Sequence, residues 1–251
     1  LIISSDVVNV DSHAFWGCTG LTSVTISEGV EIIGMSAFYS CNSLMSITIP
    51  KSVTSIGAGA FDSCYRLIEV YNLSSISINK GVASNGRVGY YALDVYTSLD
   101  DSSKMWTDVD GYIFYENGET CHLMGYIGTD TVLTLPNDCN GKPYDIYQYA
   151  FYDCYMLTEI EIPASVKYIG SNTFNNCSNL TSIVIPDSLT VINYNLFENC
   201  SNLDSIVIPP RVTAIKNSAF SGCGNLSSII IPSSVKHIGL RAFEKCNILT
   251  S

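Results

Sequence analysis

Basic side chains are scarce in this chain of 251 residues, in which 12 Lys and Arg stand against 23 Asp and Glu for a net charge of −11. Contacts with nucleic-acid phosphates or anionic lipid need clustered Lys and Arg, so both kinds of partner are disfavoured. Long apolar runs are missing as well, since no stretch of about 18 apolar residues occurs that could span a membrane. The composition thus predicts no nucleic-acid binding and no direct membrane insertion.

Side chains that carry chemistry are few and scattered. The three His residues are His13, His122 and His237, and none has a partner at a metal-binding spacing such as HExxH. No Gly-x-Ser-x-Gly elbow and no phosphate-binding loop occurs. Cys121 and His122 are adjacent, so on a strand they would point to opposite faces and could not form a catalytic pair. The chain is therefore predicted to be non-enzymatic and to use no cofactor.

Phenylalanine, in contrast, recurs at a fixed interval of 23 residues, in one series of three and a second series of five. These residues are Phe15, Phe38 and Phe61, then Phe151, Phe174, Phe197, Phe220 and Phe243. A Cys lies three positions after each of them: Cys18, Cys41, Cys64, Cys154, Cys177, Cys200, Cys223 and Cys246. Self-similarity at a fixed period of about 20 to 50 residues indicates stacked structural repeats.

The best-kept repeat runs from Leu44 to Cys64 and has three parts. Its first part is typical of a short strand that ends at Pro50, because proline has no N–H for a strand ladder. The second part turns the chain back and ends at Gly57, which indicates a backbone position with positive φ. The third part, Ala-Phe61-x-x-Cys, is spaced for one helical turn with its apolar side inward. The same glycine position is occupied in other repeats by Gly34, Gly170 and Gly239.

One repeat cannot bury its own apolar face, so its Leu, Ile, Val, Phe and Cys positions must stack on the same positions of the next coil. Parallel pairing of the short strands then builds a continuous sheet along one face. The predicted fold is a mostly β solenoid, with this parallel sheet on one face and short strands and single helical turns on the other.

The repeat resembles the BspA-like leucine-rich repeats of bacterial and some protist surface proteins, whose pattern is AFxxCxxLxxIxIPxxVxxIG. Here the pattern stands as Ala219-Phe220-x-x-Cys223, followed by Leu226, Ile229, Ile231, Pro232, Val235, Ile238 and Gly239. The match covers residues 1–70 and 150–251 closely. The resemblance implies an α/β-type leucine-rich repeat solenoid. It also implies a secreted or surface-displayed protein that binds other macromolecules, since adhesion and host-matrix binding occur in the family.

The repeat pattern is interrupted between Phe61 and Phe151. Asn117-Gly118 separates two apolar-rich runs there and predicts a β-hairpin. We expect this hairpin to lie within irregular, lengthened coils at 71–149. Because the regular repeats on both sides share one frame, residues 1–251 are interpreted as a single domain. The first coil lacks a full strand segment, so we expect a trimmed piece of a longer parent chain that carries other domains.

Tyrosine is concentrated in the interrupted region, where 13 of the 16 Tyr residues lie between Tyr65 and Tyr155. Tyr supplies amphipathic contact area at low entropic cost and is common at recognition surfaces. Three tyrosines of the predicted hairpin, Tyr112, Tyr115 and Tyr126, are therefore candidates for partner binding. The alternative is that Tyr simply suits strands and irregular core.

The same region holds an acidic group, Asp100, Asp101, Asp108 and Asp110. Its Asp-x-Asp-Gly sequence is weakly similar to a calcium loop, but the closing Glu and other ligands are missing. A solvated loop and a loop ordered by one calcium ion are both open interpretations.

Strand residues between the repeated Leu and Ile are expected on the open face of the sheet. One such column is Ser23, Ser46, Glu69, Glu159, Ser182, Ser205 and Ser228, and the other is Thr25, Thr48, Tyr71, Glu161, Val184, Val207 and Ile230. We call the last three residues of the second column, Val184, Val207 and Ile230, the apolar strip. Exposed apolar patches mark interaction sites, whereas the alternative is that β-branched residues only stabilise the sheet. The candidate binding residues on this face are Glu69, Tyr71, Glu159, Glu161 and the apolar strip.

The ten Cys residues raise the question of disulfides. The eight periodic ones occupy inward positions, and parallel in-register side chains point the same way, which is poor geometry for a bridge. We therefore expect free, buried thiols in this series. Cys121 and Cys139 lie outside it, and the sequence does not decide whether they pair.

Two functions stay open on the sequence alone. The first is an extracellular or cell-surface recognition or adhesion module that binds proteins or glycans, of a host matrix or of other cells, through the open sheet face and the Tyr-rich insert. The alternative is a structural spacer or stalk in a larger surface protein, with no ligand of its own. Both imply a secreted or surface-anchored chain.

Overall fold

The chain folds into short strands joined by tight turns in a computed structural model that describes residues 1–250. Two compact units are present, Leu1–Ser103 and Lys104–Ser251, and each is described by itself. The mostly β solenoid with parallel sheets is confirmed, and helix is almost absent, since the described residues contain a single 3-10 turn at Asn85–Arg87. The single domain over residues 1–251 stays a prediction.

The first unit has eight strands that form two parallel sheets, with the order β1-β3-β5-β7-β8 in one and β2-β4-β6 in the other. The strands are β1 (Ile2–Ile3), β2 (Asn9–Val10), β3 (Ser23–Ile26), β4 (Ile32–Ile33), β5 (Ser46–Ile49), β6 (Ser55–Ile56), β7 (Glu69–Asn72) and β8 (Asp94–Tyr96). The alternation in β5 explains the sheet: Ile47 and Ile49 are buried, while Ser46 and Thr48 lie on the open side.

The second unit has twelve strands among its described residues: β9 (Met105–Thr107), β10 (Tyr112–Glu116), β11 (Cys121–Tyr126), β12 (Val132–Thr134), β13 (Asp145–Ile146), β14 (Glu159–Glu161), β15 (Ser182–Val184), β16 (Val191–Ile192), β17 (Ser205–Val207), β18 (Ala214–Ile215), β19 (Ser228–Ile230) and β20 (His237–Ile238). The parallel groups are β12-β14-β15, β17-β19 and β16-β18-β20. A four-stranded sheet of order β13-β11-β10-β9 lies in the part of the interrupted region that follows β8 and includes the hairpin.

The predicted hairpin is present as the antiparallel pair β10 and β11. The backbone N–H of Asn117 donates to the carbonyl of Thr120, so Gly118 and Glu119 form the centre of the turn. Gly118 has φ +92, a conformation that favours glycine. A disulfide joins Cys121 of β11 to Cys139, which decides the pairing that the sequence left open. Cys121 is therefore not available as a nucleophilic thiol beside His122.

The Phe and Cys columns form the core of the coils. The rings of Phe151, Phe174 and Phe197 stack with centroids 5.6 Å apart at each step, and Phe174 and Phe197 are fully buried. The predicted free thiols are confirmed, because none of the eight periodic Cys of residues 1–250 forms a disulfide. The expected burial holds for five of them, Cys41, Cys64, Cys177, Cys200 and Cys223, whereas Cys154 and Cys246 are only half-buried. Cys18 is exposed, contrary to the expected burial, because it lies in the first coil, where no preceding coil among residues 1–250 covers it.

The segment around each Phe is a pair of tight turns rather than a helical turn. The N–H of Asp62 donates to the carbonyl of Gly59, and the N–H of Cys64 donates to that of Phe61. The N–H of Phe38 donates to the carbonyl oxygen of Ala60 in the next coil over 2.8 Å, so the turns themselves are hydrogen-bonded from coil to coil. Backbone bonding of this kind satisfies groups that a helix would pair internally.

The predicted positive φ at Gly34, Gly57, Gly170 and Gly239 is wrong, since none of them has a left-handed backbone. A Cβ at Gly57 would overlap the backbone nitrogen of Met35 and lie 2.7 Å from the carbonyl carbon of Gly34. Glycine is thus required here by the close approach of two coils. Positive φ occurs two and six residues later, at Gly59 and Ser63 in this repeat.

Candidate recognition surfaces

The open face of the second unit carries the apolar strip as predicted. The side chains of Val184, Val207 and Ile230 are 60%, 82% and 84% exposed. Val207 on β17 is in register with Ile230 on β19. The intervening strand residues Ile206 and Ile229 point inward, because successive side chains of a strand alternate between faces. Three large apolar side chains therefore face solvent along consecutive coils.

A shallow groove of 440 Å³ runs along this face between β15, β17 and β19. The apolar side chains of Val207 and Ile230 line it together with the hydroxyl-bearing column Ser182, Ser205 and Ser228. These Ser side chains are exposed, as the sequence predicted. The groove thus offers apolar contact along one side and hydroxyl groups along the other.

The predicted acidic residues of this face stand directly beside the apolar strip. Glu161 on β14 is in register with Val184 on β15, and Glu159 is in register with Ser182. Both glutamates are exposed. The structure therefore brings Glu159, Glu161 and the apolar strip onto one surface of the second unit.

Glu69 and Tyr71 of the first unit lie in a different setting. Glu69 is 1% exposed, so its predicted place on an open surface is wrong. Its carboxylate accepts hydrogen bonds from the hydroxyls of Tyr96 at 3.2 Å and Ser103 at 2.7 Å. Residues after β8 cover the sheet edge here and bury the charge among donors, as a buried carboxylate requires.

Tyr71 is half-buried, and its ring lies 4.8 Å from that of Tyr96. Burial, followed by the nearby charge of Glu69, raises the pKa of Tyr71. The same two causes raise the pKa of Tyr96 further. Both phenols thus stay protonated at neutral pH and can act as hydrogen-bond donors.

Two hairpin tyrosines are core residues, which corrects the prediction that they bind partners. Tyr112 and Tyr115 are 6% and 4% exposed. The hydroxyl of Tyr112 donates to the carbonyl of Thr134 over 2.9 Å. The ring of Tyr112 belongs to the apolar core of the second unit, and the ring of Tyr115 stacks beside that of His122 with centroids 6.4 Å apart.

Tyr126, the third hairpin tyrosine, remains accessible. Its hydroxyl donates to the carboxylate of Asp130 over 2.6 Å, and this bond raises the pKa of the phenol. The ring lines a cavity of 330 Å³ together with Tyr155 and Met156, which the sequence analysis did not single out. The sequence does contain a signal for these two residues. They directly follow Cys154, at positions where the following repeats carry the polar pairs Ser178-Asn179 and Ser201-Asn202.

Within the acidic group, side-chain carboxylates accept local hydrogen bonds from backbone N–H groups. In the second unit the carboxylate of Asp108 accepts from the N–H groups of Asp110 and Tyr112 at 3.0 and 2.8 Å. Such bonds are typical of Asp in turns. Across residues 1–250, no group of three or more His, Cys, Asp or Glu side chains is placed to hold a metal ion.

No helix in the described part of the chain is long and apolar enough to cross a membrane. A search of curated protein sequences gave no significant match. The sequence model of the family described as BspA type leucine rich repeat region, in contrast, matches this chain in six copies, over residues 1–89 and 142–251. These ranges cover more than half of the chain.

Solved bacterial repeat proteins are similar in structure. A leucine-rich cell surface protein from Faecalibacterium prausnitzii A2-165 has a TM-score of 0.59 at 27% identity, with 99% of this chain and 77% of that chain covered. A leucine-rich repeat protein of T. pallidum has a TM-score of 0.54 at 32% identity, with 57% and 69% covered. The pneumococcal vaccine antigen PcpA has a TM-score of 0.53 at 18% identity, with 99% and 66% covered, and shows likeness of fold alone. The chain thus belongs to the BspA-type leucine-rich repeat family.

Proposed function

We propose that the chain is a non-enzymatic recognition module, displayed outside the cell, that binds a partner protein through the apolar strip. The observation that carries this proposal is the exposure of Val184, Val207 and Ile230 at 60% or more on consecutive coils. Contiguous exposed apolar surface is uncommon on soluble monomers and marks interaction sites. The likeness to a cell surface protein supports the location, but it identifies no ligand.

Sheet stability alone does not require these three side chains. The same column carries Thr25 and Thr48 in the first unit, in strands that pair in the same parallel register. Threonine satisfies the β-branched preference of a strand and leaves a hydroxyl in water. Valine and isoleucine at the equivalent places add apolar surface that a partner can cover.

The charge beside the strip indicates the partner's chemistry. Glu159 and Glu161 are exposed one coil away, and the chain has a net charge of −11. Complementary potentials steer association and exclude like-charged partners. The expected partner surface therefore has apolar side chains flanked by Lys or Arg, as an extracellular matrix or cell-surface protein could present.

A spacer function without a ligand is the second candidate. The exposed column Ser182, Ser205 and Ser228 favours it, because this part of the face is uniform and uncharged. In a spacer, the apolar strip would only stiffen the sheet. The two functions differ in whether replacement of the strip alters binding.

The test replaces the strip by the residue that the chain itself uses in the first unit: Val184→Thr, Val207→Thr and Ile230→Thr together. Binding of purified wild-type and variant protein to immobilised matrix proteins, glycans and cell surfaces is compared. The matched control is Ile32→Thr and Ile238→Thr, which makes the same kind of change at exposed side chains that do not line the groove. We expect the strip variant to bind at least about tenfold more weakly, because it buries less apolar surface.

The control should keep wild-type affinity, and both variants should keep the thermal midpoint within a few degrees, since the replaced side chains are exposed. Equal affinity of the strip variant and wild type for a bound partner would contradict the proposal. Absence of binding to every surface component would support the spacer.

A further inference from the structure

The stack of phenylalanine rings in the second unit ends at Phe151. Its centroid lies 5.6 Å from that of Phe174, with an angle of 9° between the planes, and the stack continues through Phe197 and Phe220 to Phe243. Gly128 lies 23 residues before Phe151, so the series of Phe residues does not continue into the interrupted region.

A cavity of 330 Å³ lies at this end of the column. Its floor consists of Leu133, Phe151 and Leu157, whose side chains are almost completely buried. Tyr126 and Gly128 line one side of it. A Cβ at Gly128 would overlap the hydroxyl of Tyr126, so glycine allows this ring to fold over the loop. The volume is at the lower end of the range for small-ligand pockets, about 300–1,000 Å³.

Two large apolar side chains stand exposed at this cavity. Tyr155 is 53% exposed and Met156 is 67% exposed. The three following coils carry Ser-Asn, Ser-Asn and Gly-Asn at the same two positions. There the amide of Asn202 donates to Asn179 in the preceding coil over 3.3 Å, and Asn225 donates to Asn202 in the same way. The coil at the cavity thus replaces a polar ladder by contact surface of the kind that is enriched at binding sites.

The charged groups at the cavity are acidic. Asp130 and Asp153 are among its lining residues, and no Lys or Arg side chain lines it. The carboxylate of Asp130 accepts one hydrogen bond from Tyr126, and a carboxylate has capacity for about four. An occupant must therefore combine an apolar stem with a positively charged donor.

We propose that this cavity binds an arginine side chain presented by a partner protein. The methylene stem packs against Met156 and Leu157, and the guanidinium group stacks on a tyrosine ring and donates to Asp130. Arginine fits better than lysine because its planar group both stacks on aromatic rings and pairs with carboxylates through two N–H donors. The site is separate from the apolar strip and goes beyond the proposed function.

The test uses the full chain labelled with ¹³C at its methionine methyl groups. The chain has five Met residues, and Met156→Leu assigns the signal of the one at the cavity. Three probes are titrated: N-acetylarginine amide, N-acetyllysine amide and N-acetylcitrulline amide, the last having nearly the shape of arginine without its charge. We expect the arginine probe to shift the Met156 signal with a dissociation constant on the order of 1 mM. The lysine probe should bind more weakly, and the citrulline probe should cause no saturable shift.

Two variants separate a local from a general effect of charge. Asp130→Asn should weaken arginine binding about tenfold, because it removes a charge-assisted hydrogen bond. Asp187→Asn changes an exposed acidic residue of the same unit that does not line the cavity, and it should bind like wild type. Equal weakening by both variants would contradict the proposal, as would equal binding of citrulline or an unmoved Met156 signal. The Met156 signal reports binding at this cavity alone, so a negative result would not contradict the proposal that a partner binds through the apolar strip.

Discussion

The thiol of Cys200 donates a hydrogen bond to the carbonyl oxygen of Phe174, 26 residues earlier, over 3.1 Å. The bond recurs through the core, as Cys64 to Phe38, Cys177 to Phe151 and Cys223 to Phe197. The buried periodic Cys residues thus fill small apolar spaces and also supply donors to the preceding coils. Alanine or valine could fill the space but could not donate, which explains why cysteine recurs at this position.

Replacement of Cys200 by Ala should lower the free energy of unfolding by about 1–3 kcal/mol, because it leaves a small cavity and removes the donor to Phe174. Urea unfolding followed by circular dichroism measures the change. Cys18→Ala is the matched control, since Cys18 stands at the same repeat position but is exposed. The control should change stability by no more than about 0.5 kcal/mol. Similar losses of unfolding free energy in both variants would show that burial of the thiol column contributes nothing to stability.

The reactivity of the thiols should follow their burial. Burial raises the pKa of Cys177 and Cys200, so both remain protonated and unreactive near pH 8 in the native protein. A thiol reagent should label Cys18 first, because it is exposed. Of the ten Cys, two form the disulfide, so denatured protein should show eight thiols without reductant and ten after reduction. Ten thiols without reductant would contradict the bridge between Cys121 and Cys139.

The repeated parts of the fold were predictable because every coil gives a residue the same surroundings. The buried Phe and Cys columns and the exposed apolar strip follow directly from one frame. Gly57 was misinterpreted because a glycine can be required by φ or by close approach, and a single sequence does not separate the two. The burial of Glu69 and Tyr112 was missed for another reason. Both are covered by irregular coils, whose path depends on tertiary contacts that no period encodes.

Glycine at the repeat position of Gly57 should be far less replaceable than glycine elsewhere. Gly57→Ala is expected to cost about 3 kcal/mol, because its Cβ would overlap the backbone of Met35 and one coil must move. Gly59→Ala has space but a φ of +63, so it should cost about 1 kcal/mol. Gly20→Ala meets no atom within 4 Å and should be near neutral. The order of the three denaturation midpoints is the measurement, and a Gly59 variant less stable than the Gly57 variant would contradict the argument from close approach.

The buried phenol of Tyr112 should make the protein labile at alkaline pH. Burial, the neighbouring Tyr126 and the charge of Asp108 raise the pKa of Tyr112 from 10.0 to about 12. Between these two values the phenol of Tyr112 ionises in the unfolded chain but stays protonated in the folded chain. The stabilisation that the neutral phenol provides is therefore fully present below pH 10 and is lost as the pH rises through 12.

Tyr112→Phe removes the hydrogen bond to Thr134, so the free energy of unfolding at neutral pH should fall by about 1 kcal/mol. Above pH 10 the stability of this variant should decline less steeply than that of wild type. Tyr168→Phe, at a half-exposed position, is the control and should follow the wild-type profile. Urea midpoints measured from pH 7 to pH 12 provide the comparison, and parallel profiles for wild type and Tyr112→Phe would show that the phenol ionises alike in both states.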